Sequence, residues 1–420
     1  MAKKDRIYFV IDMKSFFASV ECAERGLNPY ETPLVVADAE RTEATICLAV
    51  SPKLKSMGVK NRCRLYEIPR NIEYITARPQ MKKYIEYAAE IYGIYLKYMD
   101  SSDIYVYSID ECFIDATDYL KIYNLTPVAF AKKLMNEIWE TLGIPSSAGI
   151  GTNMYLAKIA LDITAKNKPN HIGFLNEKLF MDTLSHHRPL TDFWGISRGI
   201  SSRLQKYGIV DMYGIANMNE DILYKEFGVN AELLIDHSRG IETCLMSDIK
   251  KYKPKSKSIS SSQILPCNYN YTDAKIVLKE MLQSGCYELF REGYVTNLIH
   301  IFVVYGDNRE EGDKGTIRLP IITNLYSEIE PYILSTFDKM IDRNRPIRKV
   351  GYDFAELQSK ESEAYDLFTD YNKIDKQKKL TKSILSIQDT FGKNSILKGI
   401  DLVDKATQKE RITLIGGHRG

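Results

Sequence analysis

Residues 105–115 read Tyr-Val-Tyr-Ser-Ile-Asp-Glu-Cys-Phe-Ile-Asp, so two carboxylates, Asp110 and Glu111, lie side by side between two β-prone segments. The flanking residues have the period of pleated strands, which predicts a hairpin with the acid pair between its strands. An ordinary two-residue hairpin turn favours Asn-Gly or Asp-Gly, because these residues accept positive φ. Acidic turn residues are usually only solvated, but two carboxylates on a rigid hairpin also suit a hard metal ion.

A third carboxylate, Asp12, lies near the start of the chain. It follows the apolar segment Ile7–Ile11, which has the composition of a strand, and precedes Lys14–Glu24, which has helical spacing. At a strand end Asp12 could simply cap the following helix. Together with Asp110 and Glu111, it could instead complete a metal site.

The composition indicates a multidomain globular protein. Of 420 residues, 44% are hydrophobic and 27% charged, which is enough for several domains with their own cores. The net charge is only +2, so nucleic-acid binding would have to depend on local basic segments. Seven scattered cysteines without a Cys-x-x-Cys pair predict reduced thiols rather than a zinc site. No apolar run could cross a bilayer, so we expect a cytoplasmic protein with no membrane partner.

The segments around the acid pair predict an α+β domain. Helical spacing covers Met81–Tyr98 and Pro127–Leu142, a strand-like run covers Ser146–Gly151, and a further helix is expected over Asn153–Lys166. Together with the first strand and the acidic hairpin, these segments predict antiparallel strands backed by helices on one face.

Two further segments combine turns with basic residues. Pro29–Arg70 has the mixed composition of a small lobe, in which Ser51-Pro52 can begin a short helix whose amide groups meet an anion. Residues 193–209 follow a pattern of helix, Gly-containing turn and helix, which resembles a helix-hairpin-helix that binds a phosphate backbone. A solvated basic helix face and an ordinary helical hairpin are the respective alternatives.

The composition changes again after residue 249. Residues 250–257 read Lys-Lys-Tyr-Lys-Pro-Lys-Ser-Lys, which is typical of a solvated linker and also suits passage over a phosphate backbone. Residues 258–356 alternate strand-like and helical periods in the order β-α-β-β-α-β, which predicts an independent domain. From residue 359 the chain is polar, and its aromatic cluster from Tyr365 is typical either of a docking peptide or of a segment that packs back on the domain.

Three sequence motifs follow one another along the chain. Residues 8–21 read Tyr-Phe-Val-Ile-Asp-Met-Lys-Ser-Phe-Phe-Ala-Ser-Val-Glu, residues 108–115 read Ser-Ile-Asp-Glu-Cys-Phe-Ile-Asp, and residues 156–160 read Leu-Ala-Lys-Ile-Ala. Together they resemble the Y-family translesion DNA polymerases, most of all the bacterial UmuC-like branch, over nearly the whole chain. The resemblance implies a right-hand polymerase with a palm (1–25 and 76–170), small fingers (26–75), a helix-hairpin-helix thumb (171–249), a basic linker (250–257), a β-α-β-β-α-β little-finger domain (258–358) and a C-terminal tail (359–420).

The resemblance also implies a catalytic site. Asp12, Asp110 and Glu111 look like the family's catalytic carboxylates, which would hold two Mg²⁺ ions with the help of the Met13 backbone carbonyl. Two hard cations that bridge a primer hydroxyl and a nucleoside triphosphate need oxygen ligands from separate chain segments, and this set provides them.

Further residues match the family's substrate contacts. For the deoxynucleoside triphosphate these are Phe17, which resembles the aromatic steric gate, Phe16 beside it, the lysines Lys55 and Lys166, and Ser51, which stands with Pro52 where many relatives carry a tyrosine. For DNA they are the thumb turn and the linker lysines, namely Gly195, Ile196, Ser197, Arg198, Lys251, Lys253, Lys255 and Lys257. Tyr365, Leu367 and Phe368 resemble a sliding-clamp peptide, with Ala364 in place of its usual glutamine.

The function implied is a DNA-directed DNA polymerase that performs error-prone translesion synthesis on primer–template DNA. A catalytically silent DNA-binding scaffold that recruits repair partners is the alternative, and the intact set of three acids argues against it. A nucleotide cyclase with a palm-like core would not need a thumb, a linker or a little finger.

Overall fold

The computed structural model describes residues 6–38, 40, 42–308, 311–365, 367 and 369–419, with the backbone alone at positions 167 and 419. The chain divides into two compact units, Met1–Tyr252 with His418–Gly420, and Lys253–Gly417. Among the described residues, no helix combines the length and the apolar character needed to cross a membrane.

The first unit is mixed α and β. Its strands are β1 (Tyr8–Met13), β2 (Leu34–Val36), β3 (Ala49–Val50), β4 (Ile75–Ala77), β5 (Ile104–Val106), β6 (Glu111–Asp115), β7 (Ser146–Gly151) and β8 (Ile172–Leu175). Its helices are α1 (Phe16–Ala23), α2 (Pro52–Ser56), α3 (Met81–Leu96), α4 (Tyr119–Ile122), α5 (Pro127–Leu142), α6 (Met154–Ile159), α7 (Glu177–Leu184), α8 (Arg198–Gln205), α9 (Met212–Ala216), α10 (Glu220–Phe227), α11 (Ala231–Ser238) and α12 (Met246–Lys251).

The main sheet of this unit has the strand order β5-β6-β1-β7-β8. Strand β1 is antiparallel to β6 and β7, and β8 runs parallel to β7. Phe9, Ile11 and Met13 share a core with residues of α1, α3 and α5, whereas Tyr8 and Val10 pack with residues of α6. The sheet is therefore covered on both faces.

Two details of the predicted sheet were wrong. Helices cover both faces rather than one, and the parallel strand β8 was not predicted. The uninterrupted apolar run of β1 indicated that both faces of the sheet are covered, because apolar and polar residues do not alternate in a strand that is buried on both faces.

The helix predicted over 153–166 changes its winding along its length. Asn153 caps α6 through its side chain, a π-helical turn follows over Ala160–Thr164, and a 3₁₀ turn covers Ala165–Asn167. The π-helical turn packs against β7 and β8, where a Cβ on Gly149 would lie only 2.0 Å from the Ala157 carbonyl oxygen. Glycine is needed at this position because helix and strand backbones almost touch.

The predicted acidic hairpin is confirmed, with a four-residue connection from Tyr107 to Asp110. The Glu111 carbonyl oxygen accepts hydrogen bonds from the amides of Tyr107 (3.0 Å) and Ser108 (3.1 Å), which closes the turn. Asp110 is thus the last residue of the turn, and Glu111 is the first residue of β6.

Two smaller cores complete the first unit. The sheet β3-β2-β4 and helix α2 enclose an apolar cluster that includes Val35, Cys47 and Leu54. Helices α7 to α11 pack around another cluster, which includes Phe180 and Leu204.

The second unit has the predicted order β-α-β-β-α-β. Its elements are β9 (Ile259–Tyr269), α13 (Tyr271–Glu292), β10 (Tyr294–Tyr305), β11 (Lys314–Thr323), α14 (Tyr326–Met340), β12 (Ile347–Ala355), β13 (Gln358–Ser359), α15 (Tyr371–Phe391), α16 (Gln408–Arg411) and β14 (Leu414–Ile415), and the chain ends in β15 (His418–Arg419). The main sheet has the order β11-β10-β12-β9, and α13 and α14 pack together beside it.

Much of the segment after Ser359 packs back on this second unit. The carboxylate of Glu280, in α13, is 1% exposed and accepts hydrogen bonds from the backbone amides of Thr407 (3.0 Å) and Gln408 (3.3 Å). Helix α15 contributes Ile374 and Leu385 to the buried residues. Helix α15 and the segment around Thr407 are therefore part of the second unit.

Candidate active site

The main sheet brings the three predicted carboxylates together. Asp12 and Glu111 are direct partners in the antiparallel pairing of β1 with β6. The amide of Met13 donates a hydrogen bond of 3.0 Å to the Asp110 carbonyl, and the Asp110 carboxylate accepts one of 2.7 Å from the Ser108 hydroxyl. Residues almost 100 positions apart in sequence therefore share one end of the sheet.

The cluster is electrostatically strained by its own negative charge. Burial, followed by the charges of Asp110 and Glu111, raises the pKa of Asp12 to about 8. Burial also raises the pKa of Glu111, which Lys158 opposes. Three carboxylates in a poorly solvated site favour any cation that enters it.

A lysine that the sequence analysis did not assign to the site completes it. Lys158 of α6 lies with its Nζ 2.7 Å from Glu111 Oε1 and 3.2 Å from Asp162 Oδ1, and its side chain is only 9% exposed. The contact between Lys158 and Asp162 could be predicted from sequence, because residues four positions apart are neighbours on a helix. The ion pair with Glu111 depends on tertiary packing that spacing does not reveal.

Within the part of the chain that the structure describes, no three His, Cys, Asp or Glu side chains are arranged as ready metal ligands. Glu111 is turned toward Lys158 instead. The chemistry of the donors nevertheless suits a hard divalent cation, because Asp12 is desolvated next to two further carboxylates whose charges raise its pKa.

The predicted aromatic gate lies on the first turn of α1, the helix that follows Asp12 in the chain. Phe16 is buried, whereas Phe17 is half-buried, and their ring centroids are 5.7 Å apart. The ring of Phe17 stacks on Tyr84 of α3, with 4.5 Å between centroids and 17° between planes.

Lys14 and Lys55 both interact electrostatically with Asp12. Desolvation lowers the pKa of Lys55 most, Asp12 opposes the shift, and the nearby charge of Lys166 adds to it. Desolvation, and then the charge of Lys55, lowers the pKa of Lys14 to about 8. Lys55 and Lys166 were predicted and Lys14 was missed, although it stands two residues after Asp12.

The prediction for Ser51 needs correction. Its side chain is fully buried, and its hydroxyl donates to the Thr32 carbonyl (2.8 Å) and accepts from the amides of Leu34 (3.0 Å) and Leu54 (3.3 Å). The hydroxyl caps α2 and fixes β2. It therefore has no capacity left for a nucleotide.

The predicted helix-hairpin-helix turn is only partly as expected. Gly195 has φ +89°, and the Ser197 hydroxyl caps α8 by accepting from the Ile200 amide (3.3 Å). The residues before the turn form a short 3₁₀ segment, Leu190–Asp192, instead of an α-helix. Gly195, Ser197 and Arg198 are exposed, but the Ile196 side chain is buried, so only its backbone can meet a ligand.

The four predicted linker lysines, at positions 251, 253, 255 and 257, are all exposed. Lys250 and Lys251 form the end of α12 and are not an extended linker. Lys257 Nζ donates a hydrogen bond of 2.6 Å to the Tyr294 hydroxyl.

The predicted clamp residues differ in their surroundings. Tyr365 is half-buried and contacts the Thr323 hydroxyl at 3.2 Å, and Ala364 pairs with Ile322 through two backbone hydrogen bonds. Leu367 is 97% exposed. Phe368 lies outside the described residues.

Comparisons with known proteins agree with this geometry. Residues 11–162 match the model of the impB/mucB/samB family, and residues 256–367 match that of the impB/mucB/samB family C-terminal domain. The chain is 30% identical over 428 residues to DNA polymerase IV 2 of Bacillus subtilis (strain 168), with 99% of each chain covered. The chain belongs to the Y-family of translesion DNA polymerases.

Further matches support membership of the Y-family. DNA polymerase IV 2 of Halalkalibacterium halodurans is 29% identical over 418 residues, with 99% of each chain covered. Among solved structures, the Y-family DNA polymerase chimera Dbh-Dpo4(243-245)-Dbh matches with a TM-score of 0.64 and 23% identity, over 83% of this chain and 98% of that one. The predicted fold class and family are confirmed. Enzymes of this family are metal-dependent DNA-directed DNA polymerases.

Proposed function

We propose that this Y-family polymerase extends primers past damaged template bases with deoxynucleoside triphosphates, and that the cluster of Asp12, Asp110 and Glu111 is its catalytic centre. The observation that carries the proposal is the direct pairing of Asp12 with Glu111, beside Asp110, at one end of the main sheet. A scaffold that only binds DNA would not need three carboxylates in a site that raises the pKa of Asp12 to about 8.

Asp12, Asp110, Glu111 and the Met13 carbonyl would hold two Mg²⁺ ions. When bound, these ions would acidify the primer 3′-hydroxyl and neutralise charge that builds on the departing pyrophosphate. The positions of these carboxylates would determine where the metal ions bind. Lys158, whose Nζ lies 2.7 Å from Glu111 Oε1, favours the ionised form of that carboxylate against the effect of burial.

Three groups would bind and select the nucleotide. Lys55 and Lys166 are exposed lysines close enough to act on each other's charge, Lys55 also interacts with Asp12, and both would bind the triphosphate oxygens. Phe17, with one face against Tyr84, would place the other where a ribose 2′-hydroxyl has to fit. Exclusion of that hydroxyl would make the enzyme selective for deoxynucleotides.

The remaining assignments concern DNA and partners. We propose that two groups bind DNA phosphates. The first is the backbone of residues 195–198, at the start of helix α8, and the second is the set of exposed lysines at 251, 253, 255 and 257. We also propose that the palm comprises residues 1–25 and 76–170, the fingers 26–75, the thumb 171–249 and the little finger 258–358. We expect the exposed Leu367 to contact the sliding clamp. The free cysteines fit a cytoplasmic location.

Primer extension by the purified protein tests the function. Labelled primers on an undamaged template and on the same template with one abasic site are incubated with Mg²⁺ and deoxynucleoside triphosphates. Extension that follows the template sequence and continues past the lesion is the expected result. Binding of both substrates without any extension would instead favour the DNA-binding scaffold.

A further inference from the structure

Behind the proposed gate lies a second layer of fully buried polar groups. Tyr84, whose ring stacks on Phe17, is 0% exposed and donates a hydrogen bond of 2.7 Å from its hydroxyl to Glu21 Oε1. Glu21 lies four residues after Phe17 on the same helix, α1, and is also 0% exposed. Tyr84 is therefore fixed at two points: its ring stacks on Phe17, and its hydroxyl binds the carboxylate of Glu21.

The carboxylate of Glu21 is fixed in turn by two more groups. The Gln80 side-chain amide lies 3.0 Å from Oε1 and 3.3 Å from Oε2. Arg25 forms an ion pair with Oε2 and donates a hydrogen bond of 2.6 Å to the Glu21 carbonyl. A buried carboxylate with this many donors has one orientation, and so does the tyrosine that it binds.

Tyr84 is also held in its donor form. Burial, followed by the hydrogen bond to Glu21, raises the pKa of Tyr84, so the hydroxyl remains protonated throughout the working pH range of a polymerase. The ring then has little freedom to rotate or slide beneath Phe17. Stacking with 4.5 Å between ring centroids transmits that rigidity to Phe17, whose own side chain is only half-buried.

We infer that Glu21 and Tyr84 are positioning residues for the sugar gate: they fix the ring of Phe17, and the enzyme's discrimination against ribonucleotides depends on them. The inference rests on the proposed role of Phe17 as the gate. A gate excludes a single hydroxyl group only when its own position is fixed, because a ring that can retreat by a fraction of an ångström leaves room for the larger sugar. The substrate property concerned is therefore the ratio of deoxyribonucleotide to ribonucleotide incorporation.

A neighbouring pair of contacts provides a matched control. Glu24 accepts a hydrogen bond of 2.8 Å from Tyr87 and pairs with Lys83, so it joins α1 to α3 one turn further along. Phe17 stacks on Tyr84 of the first pair rather than on Tyr87. If the Glu21 network only joined the two helices, variants of both pairs would behave alike.

The test compares kcat/KM for dATP and ATP opposite template thymine, in full-length Tyr84→Leu, Glu21→Gln and Tyr84→Phe, beside Tyr87→Leu and Glu24→Gln. We expect Tyr84→Leu to lower the dATP to ATP ratio about tenfold, mainly through faster ATP incorporation. Tyr84→Phe keeps the stacked ring but loses the hydrogen bond to Glu21, and Glu21→Gln weakens that bond, so each should lower the ratio by a smaller factor than Tyr84→Leu. Tyr87→Leu and Glu24→Gln should leave the ratio unchanged, even where thermal unfolding shows lost stability.

Phe17→Ala separates the two levels of the proposal. If this variant relaxes the ratio while Tyr84→Leu and Glu21→Gln leave it at the wild-type value, the gate is correct and the positioning role is wrong. If Phe17→Ala leaves the ratio unchanged, the gate itself is wrong, and the positioning role is overturned with it. Should Tyr84→Leu fail to fold, Glu21→Gln decides the outcome, because it preserves the shape of the buried side chain.

Discussion

Replacement of Lys158 by methionine should destabilise the first unit strongly and in a pH-dependent way. The substitution leaves Glu111 buried without the cation that now lies 2.7 Å away, and it also removes the partner of Asp162 at 3.2 Å. Loss of one partner from a buried ion pair costs roughly 3 kcal/mol. For a unit of about 250 residues this lowers the unfolding midpoint by about 6–12 °C.

The pH dependence of this loss follows from Glu111. Burial raises its pKa and Lys158 opposes that shift, so removal of Lys158 raises the pKa further. A raised carboxyl pKa disfavours the ionised form in the folded state. The penalty is therefore small near the unfolded-state pKa of about 4.3 and grows as the pH rises toward the folded-state value.

The assay is thermal unfolding of Lys158→Met and wild type at pH 5 and pH 8, without divalent metal. The control is Lys97→Met, which removes an ion pair to Glu137 at 2.8 Å from a lysine side chain that is 57% exposed. The control should lose less than about 1 kcal/mol at either pH. Equal losses in the two variants, or a loss in Lys158→Met that is the same at both pH values, would refute this reasoning.

Three further predictions concern other parts of the chain. Phe17→Ala should incorporate ribonucleotides at least about tenfold more efficiently relative to deoxyribonucleotides, measured by single-nucleotide insertion kinetics; an unchanged ratio would count against the gate. Combined Lys253→Ala, Lys255→Ala and Lys257→Ala should reduce the slope of log binding constant against log salt concentration by about 3 in fluorescence-anisotropy titrations with primer–template DNA, and an unaltered slope would exclude phosphate contacts by these lysines. Glu280→Ala should release the segment around Thr407 by removing its hydrogen-bond acceptor, at a cost of about 1–3 kcal/mol, with faster proteolysis after residue 392 as the readout; cleavage at the wild-type rate would contradict that role.

Local patterns predicted the parts of the site that depend on neighbouring residues. The acidic hairpin followed from strand periodicity around Asp110 and Glu111, and the place of Asp12 followed from the apolar strand before it. That the three carboxylates belong to one site was expected from a family resemblance, because period alone does not state which strands are neighbours. The order β-α-β-β-α-β of the second unit was predicted in the same way, because each of its elements has its own local period.

The contacts that sequence did not predict are all set by tertiary packing. Lys158 and Glu111 are 47 positions apart, and Tyr84 and Glu21 are 63 apart, so neither pairing leaves a local signal. Ser51 was assigned to nucleotide binding from its place in a motif, but the burial of its hydroxyl between Thr32 and Leu34 is a three-dimensional fact. The strand β8 was missed because its partner β7 runs parallel and the connection between them is a helix.

The central claim is that Asp12, Asp110 and Glu111 form one metal-dependent catalytic centre. Its most direct test is the single-turnover rate of nucleotide insertion by Asp110→Asn, with Asp182→Asn, an exposed carboxylate on α7, as the charge control. Loss of one charge from the cluster should slow insertion by about 10²-fold or more at saturating Mg²⁺ and leave DNA affinity unchanged. An Asp110→Asn rate within about twofold of the Asp182→Asn rate would contradict the claim.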